Sequence, residues 1–220
     1  MLHAIEINNY DQRFTILLNV IKMLSARGFI NENNITNTYD TVKDKFSDDQ
    51  IYKINTDNGN NFAIKFILQK ITTINKSLGI NEFLEKFKDY NKIVIVTDIN
   101  KKAYKQIVEY KNTEIFWHFE FMMNLIDHKY IPKHEILHEK YMINKDDLEE
   151  KYKNHEKFED IYLVTKKECP KIEVTDPVAR YYNLKPGQYI RIKRESISSG
   201  YAPSYRVVIN SPISKLFERF

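Results

Sequence analysis

Apolar residues recur at helical spacing at Phe14, Leu17, Leu18, Ile21 and Leu24, which predicts a helix over Asp11–Ala26 with that stripe as its packing face and Gly28 just past its end. A polar stretch rich in Asn and Asp follows, with a short helix expected over Tyr39–Phe46. The pattern then alternates between sheet and helix. Asn61–Leu68 reads as a first strand, Thr72–Tyr90 as a helix, Ile93–Thr97 as a strand and Lys101–Tyr110 as a helix. Aromatic-rich strands are expected around Glu114–Phe119 and Phe121–Ile126. Strand, helix, strand, helix predicts a small α/β sheet.

The second part of the chain is punctuated differently. All six prolines, Pro132, Pro170, Pro177, Pro186, Pro203 and Pro212, fall after Ile131, so the expected division is residues 1–130 and residues 131–220. Asp176 followed by Pro177 is a helix start, because the carboxylate can accept from orphan amides and Pro at the first helical position sacrifices no hydrogen bond. Val178–Tyr182 makes a short helix that Asn183 can end, since Asn tolerates the left-handed conformation. Lys185-Pro186-Gly187-Gln188 reads as a type II turn, with Gly187 supplying the positive φ. It launches a strand, Tyr189–Arg194, in which Ile190 and Ile192 face one way while Tyr189, Arg191 and Lys193 face the other as a basic surface. Ser196–Pro203 is expected to be a polar loop, and Tyr205–Ile209 a returning strand with Tyr205, Val207 and Ile209 on one face.

Composition narrows the class. Hydrophobic residues are 42% and aromatic residues 13% of the 220, enough for packed cores. The longest apolar neighbourhood, Phe14–Leu24, is broken by Thr15, Asn19 and Lys22, so no membrane partner is expected. Glu6, Asn8, Asn9 and Asp11 stand where a secretory signal would need a basic and then an apolar run. Cys169, the single cysteine, allows neither an internal disulfide nor a multi-thiolate metal site and fits a reducing compartment. The net charge of +4 is too small for a polybasic nucleic-acid tail, and Lys, Asn, Ile and Tyr are abundant as in A/T-rich coding DNA. The basic excess collects after Ile161, whereas the stretch Lys145–Asp160 is acidic.

Chemistry is sparse. A metal-dependent nuclease of the restriction-enzyme kind needs an acidic residue two places before a strand Lys, yet Ala63 precedes Lys65. Gly28, Gly59 and Gly79 are isolated, so no phosphate-cradling loop exists in the first part. One pattern carries weight: His134-Glu135-Ile136-Leu137-His138 matches the H-E-x-x-H sequence that grips zinc from a helix, with Glu156 or Glu159 as a third ligand. Against it, Pro132 two residues earlier marks a chain only just leaving a strand. Zinc metallopeptidase therefore stands as an alternative, as does a stand-alone nucleic-acid-binding protein using Arg191, Lys193 and Arg194.

The order of these pieces resembles a known family. Ile131-Pro132-Lys133-His134-Glu135, then Asp176-Pro177-Val178-Ala179-Arg180-Tyr181-Tyr182, Leu184-Lys185-Pro186-Gly187, and Ile192–Ser196 through Gly200 to Tyr205-Arg206-Val207-Val208 resemble the assembly domain of the fifth subunit of eukaryotic-type RNA polymerases and of its archaeal counterpart. Over residues 1–126 the likeness is one of pattern, to the eukaryotic subunit's jaw. The resemblance implies an α/β fold: an amino-terminal jaw-like α/β domain with a small mixed sheet and a small α+β carboxy-terminal assembly domain. It further implies a non-catalytic subunit without cofactors, docked on the largest subunit of a multisubunit DNA-directed RNA polymerase beside its other subunits, with weak non-specific contact to downstream double-stranded DNA. The implied assembly residues are Pro132, Lys133, His134, Asp176, Pro177, Arg180, Lys185, Gly187, Arg191, Lys193 and Arg206. Of these, Asp176, Pro177 and Gly187 are expected chiefly to shape the backbone, whereas Arg180, Arg191, Lys193 and Arg206 are contact candidates. The acidic stretch and the run from Ser211 to Phe220 depart from the family pattern. The implied location is the nucleus for a cellular polymerase, or the virion or host cytoplasm for one encoded by a large DNA virus.

Overall fold

A computed structural model describes residues 9–43, 51–56, 59–67, 69–73, 79–137, 158–196 and 200–218. The chain forms two compact units, Met1–Asn124 and Leu125–Phe220, each α/β with its own four-stranded sheet. No helix among the described residues is long and apolar enough to cross a membrane.

The first unit opens with helix α1, Asn9–Ala26, which buries Ile16, Leu17, Val20, Ile21, Met23 and Leu24. The face is rotated from the predicted stripe, since Phe14 and Leu18 are only half-buried. Gly28 ends the helix at φ 81°, letting the Phe29 amide reach Leu24 O and the Gly28 amide reach Ser25 O. Helix α2, Ile35–Lys43, begins earlier than expected and buries Val42, and residues 44–46 of the expected helix lie outside the described ones. Strand β1, Ile51–Asn55, has no counterpart in the sequence-based expectation; it pairs antiparallel with β2, Asn61–Ile67, through a turn closed by Thr56 and Asn60. Leu68, assigned to that second strand, lies outside the described residues.

Strands β3, Asn91–Val96, and β4, Thr113–Trp117, extend the sheet in parallel, in the order β1-β2-β3-β4. β3 is buried along nearly its whole length, as expected for an inner strand covered on both faces. The connection between β2 and β3 holds a shorter helix than predicted, α3 over Ile80–Lys86; Ile71 instead bridges to Ile99, Phe87–Tyr90 form a turn, and residues 74–78 lie outside the described ones. Helix α4, Lys101–Val108, links β3 to β4, capped by Asn100, whose Oδ1 accepts from the Ala103 amide at 2.8 Å. The strand expected at Phe121–Ile126 does not form. The Glu120 carboxylate accepts from the Trp117 amide at 2.8 Å and folds His118–Phe121 into a 3-10 turn, which drives Phe121 into the core against Phe116.

In the second unit the sheet order is β5-β7-β8-β6, from β5 Lys133–Ile136, β6 Lys171–Glu173, β7 Tyr189–Ser196 and β8 Gly200–Ile209. β7 and β8 form a long hairpin, so Ser196 and Gly200–Pro203 are strand rather than loop; residues 197–199 lie outside the described ones. Pro203 fits because the Val207 amide points away from β7, to Pro170 O, and the position four residues earlier shares that direction, beyond the reach of short β6. The described residues of the unit also hold the short α-helices α5 Phe158–Tyr162, α6 Pro177–Tyr181 and α7 Ser214–Phe217. Both sheet faces are covered. Leu137, Phe158, Cys169, Tyr189 and Val207 form one core, and Ile172, Ala179, Leu184, Ile190 and Val208 the other. Burying Phe158 or Tyr189 contributes on the order of 2 kcal/mol each.

Candidate docking face of the second unit

The backbone-shaping residues stand as local chemistry requires. The Asp176 Oδ1 accepts from the Val178 amide at 2.9 Å with Pro177 at the first helical position. Asn183, at φ 51°, ends α6, and its Oδ1 accepts from Lys185 Nζ at 2.6 Å. Gly187 has φ 89°, the Gln188 amide donates to Lys185 O at 3.1 Å, and the Gly187 amide donates to Val208 O at 2.9 Å. The type II turn is thereby tied to β8, and it sets the register that places β7.

The expected open basic face is corrected by the pairing of β5 with β7. Glu135 lies opposite Arg191, and Lys133 opposite Lys193, all on one face of the sheet. Arg191 is 8% exposed; its Nε donates to Glu135 Oε2 at 2.7 Å and its guanidinium closes a second contact at 2.5 Å. Lys193 sits 2.9 Å and Lys133 3.7 Å from Glu135 Oε1. Burial would raise the Glu135 carboxyl, but hydrogen bonds from Lys193 and Arg191 together outweigh it and hold the carboxyl below its ordinary value. Tyr189, read as the third member of the basic face, is fully buried and donates from its hydroxyl to Glu159 Oε1 at 2.8 Å. Arg194 projects from the opposite face, so the trio Arg191, Lys193 and Arg194 forms no common surface.

On that opposite face His134, Ile192 and Ser204 stand in one cross-strand row, next to the row of Ile136, Ile190 and Arg206. Burial lowers the His134 pKa; the Pro132 backbone and Asp176 oppose the shift, while Arg206 and Arg194 add to it. Residues from three separate motifs, His134, Asp176 and Arg206, thus share one electrostatic neighbourhood. His134 Nδ1 and Ser204 Oγ are buried without a hydrogen-bond partner among the described residues. Ile136 is 41% exposed beside them. Arg180 is half-buried and engaged, and Lys185 is exposed.

The H-E-x-x-H pattern loses the helix it needs. Lys133–Ile136 are a strand, which turns His134 and Glu135 to opposite faces, and the glutamate is occupied by three cations. His138 and Glu156 lie outside the described residues, as do residues 145–157 of the acidic stretch. Among the described residues no group of three or more His, Cys, Asp or Glu could hold a metal ion. Sequence reasoning does not find Glu135 as the counterion of Arg191, although its two-residue spacing from Lys133 in a strand beside β7 carries the signal.

Comparison with known proteins supplies the context. The family described as RNA polymerase Rpb5, C-terminal domain, matches residues 123–208. The chain is 32% identical over 209 residues to the DNA-directed RNA polymerase subunit 5 of Acanthamoeba polyphaga mimivirus, spanning 92% of this chain and 94% of that one. The subunit Rpo5 of Archaeoglobus fulgidus is 35% identical over 85 residues, 39% of this chain but 95% of its own. Caenorhabditis elegans RPABC1, named as a subunit of RNA polymerases I, II and III, is 29% identical over 120 residues, about half of each chain. Fold and matches together define a non-catalytic subunit of a DNA-directed RNA polymerase. The chain belongs to the subunit 5 family of those enzymes.

Proposed function

We propose that the chain joins a multisubunit DNA-directed RNA polymerase by docking its second unit on the largest subunit, and that its first unit acts as a jaw beside downstream double-stranded DNA. The observation that carries the reading is the coincidence of the family match, residues 123–208, with a unit whose helix start and type II turn are built from Asp176, Pro177, Lys185 and Gly187. The docking surface centres on the His134, Ile192 and Ser204 row, where buried polar atoms wait for partners and Ile136 stays exposed. Pro132 precedes it in β5's entry and Arg206 stands in the neighbouring row, while Arg180 and Lys185 serve as further docking residues elsewhere on the unit. Arg191 and Lys193 serve instead to pin β5 to β7 through Glu135, which Lys133 of the same strand also approaches. The first unit touches DNA weakly and without sequence preference, through phosphates. The protein resides wherever its polymerase works, in the nucleus for a cellular enzyme and in the virion or host cytoplasm for a viral one. Gentle purification of the tagged full chain from its native cell tests this: the largest polymerase subunit should be recovered in equal amount, and its absence would refute the reading.

A further inference from the structure

Strand β1 is the outer strand of the first sheet, paired only with β2 among the described residues. The Thr56 amide donates to Asn60 O at 3.1 Å, so those two residues form a hydrogen-bonded pair. By antiparallel alternation, so do Ile54 with Phe62 and Tyr52 with Ile64. The amides and carbonyls of Lys53 and Asn55 therefore point away from β2, along the open edge. A lysine on such an edge ordinarily guards it against pairing. Here the Lys53 ammonium is drawn over the Phe87 ring, 5.3 Å from its centroid, which leaves the edge unguarded.

That edge is one wall of a cleft of about 400 Å³. The other wall is helical. Asn34 ends the 3-10 turn Glu32–Asn34, and Asn37, Thr38 and Thr41 follow it at helical spacing in α2. The described residues that line the cleft bring amides and hydroxyls but no carboxylate. An ionised side chain entering it would exchange its hydration for neutral groups, whereas a main chain or an amide finds both donors and acceptors.

We propose that this cleft takes an extended, uncharged segment of another polymerase subunit, which adds as a strand to β1 at Lys53 and Asn55 and lies against the Asn and Thr face of α2. The proposal rests on the reading that the chain joins a multisubunit polymerase, and it gives the first unit a protein contact of its own. A second copy of this chain is the poorer occupant. Pairing β1 with β1 would set two Lys53 side chains on one face of a ribbon only five residues long.

Hydrogen exchange tests it on the wild-type protein. In the free full-length chain the Lys53 and Asn55 amides should exchange at least about tenfold faster than those of Tyr52 and Ile54, which β2 engages. In purified polymerase, exchange at Lys53 and Asn55 should slow by about tenfold or more. A proline variant supplies a second arm, since Lys53→Pro removes an outward amide at a position where an edge strand accepts proline. Co-expressed with differently tagged Lys53→Ala, which keeps the amide, it should be under-represented in polymerase by about fivefold or more, the factor for one lost main-chain hydrogen bond. Should free Lys53→Pro melt well below Lys53→Ala, the exchange of the wild type decides alone. Unchanged exchange at the two amides on assembly, or equal incorporation of two variants that melt alike, would overturn the proposal. So would slow exchange at Lys53 and Asn55 in the free monomer, where the chain would be covering its own edge, or in a free dimer, where a second copy would be the occupant. Failure of wild type to recover polymerase would instead strike the reading on which it rests.

Discussion

Glu135 and Arg191 face each other across strands β5 and β7, with the guanidinium making two close contacts to one carboxylate oxygen, Oε2. Arg191 is nearly buried, so its charge depends on that partner. Glu135→Gln should destabilise the second unit by about 3 kcal/mol at neutral pH, the usual cost of breaking such a pair from one side. The acid limb carries a second signature. The folded carboxyl titrates below its ordinary value, so its contribution is complete above about 4.3, where the unfolded carboxyl is ionised, and is lost as pH falls through the depressed folded value. Denaturant midpoints of wild type and Glu135→Gln should converge toward pH 3; a constant gap from pH 7 to pH 3 would contradict the pairing.

Gly187 is limited by conformation, not space. Its φ is 89°, and the nearest atom to an added Cβ is Lys166 Nζ at 3.9 Å. Gly187→Val should therefore cost about 2 kcal/mol, since a β-branched residue resists the left-handed region. Gly187→Asn, which tolerates it, should retain more stability and more incorporation into polymerase. Equal losses for the two variants, by thermal melting and co-purification, would show that the turn tolerates any side chain badly for another reason.

Asp176 caps α6 through a single 2.9 Å acceptance from the Val178 amide. Asp176→Ala should cost about 1 kcal/mol and Asp176→Ser much less, because Ser can take the same amide. A larger loss of polymerase recovery than of stability in Asp176→Ser would mark the carboxylate as a docking contact near His134, and equal small effects would confine it to the cap.

What is legible in the sequence is local. Asp176-Pro177, Asn183 and Pro186-Gly187 declare their geometry within three or four residues, and each stands where turn and cap chemistry put it. What is not legible depends on distant partners. β1 is five residues long, and Ile51, Tyr52 and Ile54 reveal a strand only when β2 lies beside them. Phe121–Ile126 is as aromatic as a strand, yet the Glu120 carboxylate turns the chain just before it. The alternation in β7 suggests one apolar and one wet face. The face expected to be wet is covered as well, because α5 brings Phe158 onto Tyr189 and β5 brings Glu135 beside Arg191. Residues 158 and 135 are far from 189 and 191 in sequence, and no pattern within β7 announces them.

Lys92 offers a test in the first unit. It is 2% exposed in β3, and its Nζ donates to Phe87 O at 3.3 Å and Tyr90 O at 3.2 Å, which ties the turn after α3 to the sheet. Burial lowers its pKa, opposed by Asp89. Two carbonyls compensate an ammonium incompletely, so Lys92→Met, similar in length and apolar, should stabilise the unit at neutral pH by about 1 kcal/mol. The sign of the pH dependence follows from the lowered value. Between the folded pKa and about 10.4 the unfolded chain holds a proton that the folded one has released, so wild-type stability should rise with pH in that alkaline window. The variant should lack this rise. If Lys92→Met instead loses stability at every pH, the two carbonyl bonds outweigh the burial of the charge, and Lys92 is a structural clasp whose ammonium the fold prefers.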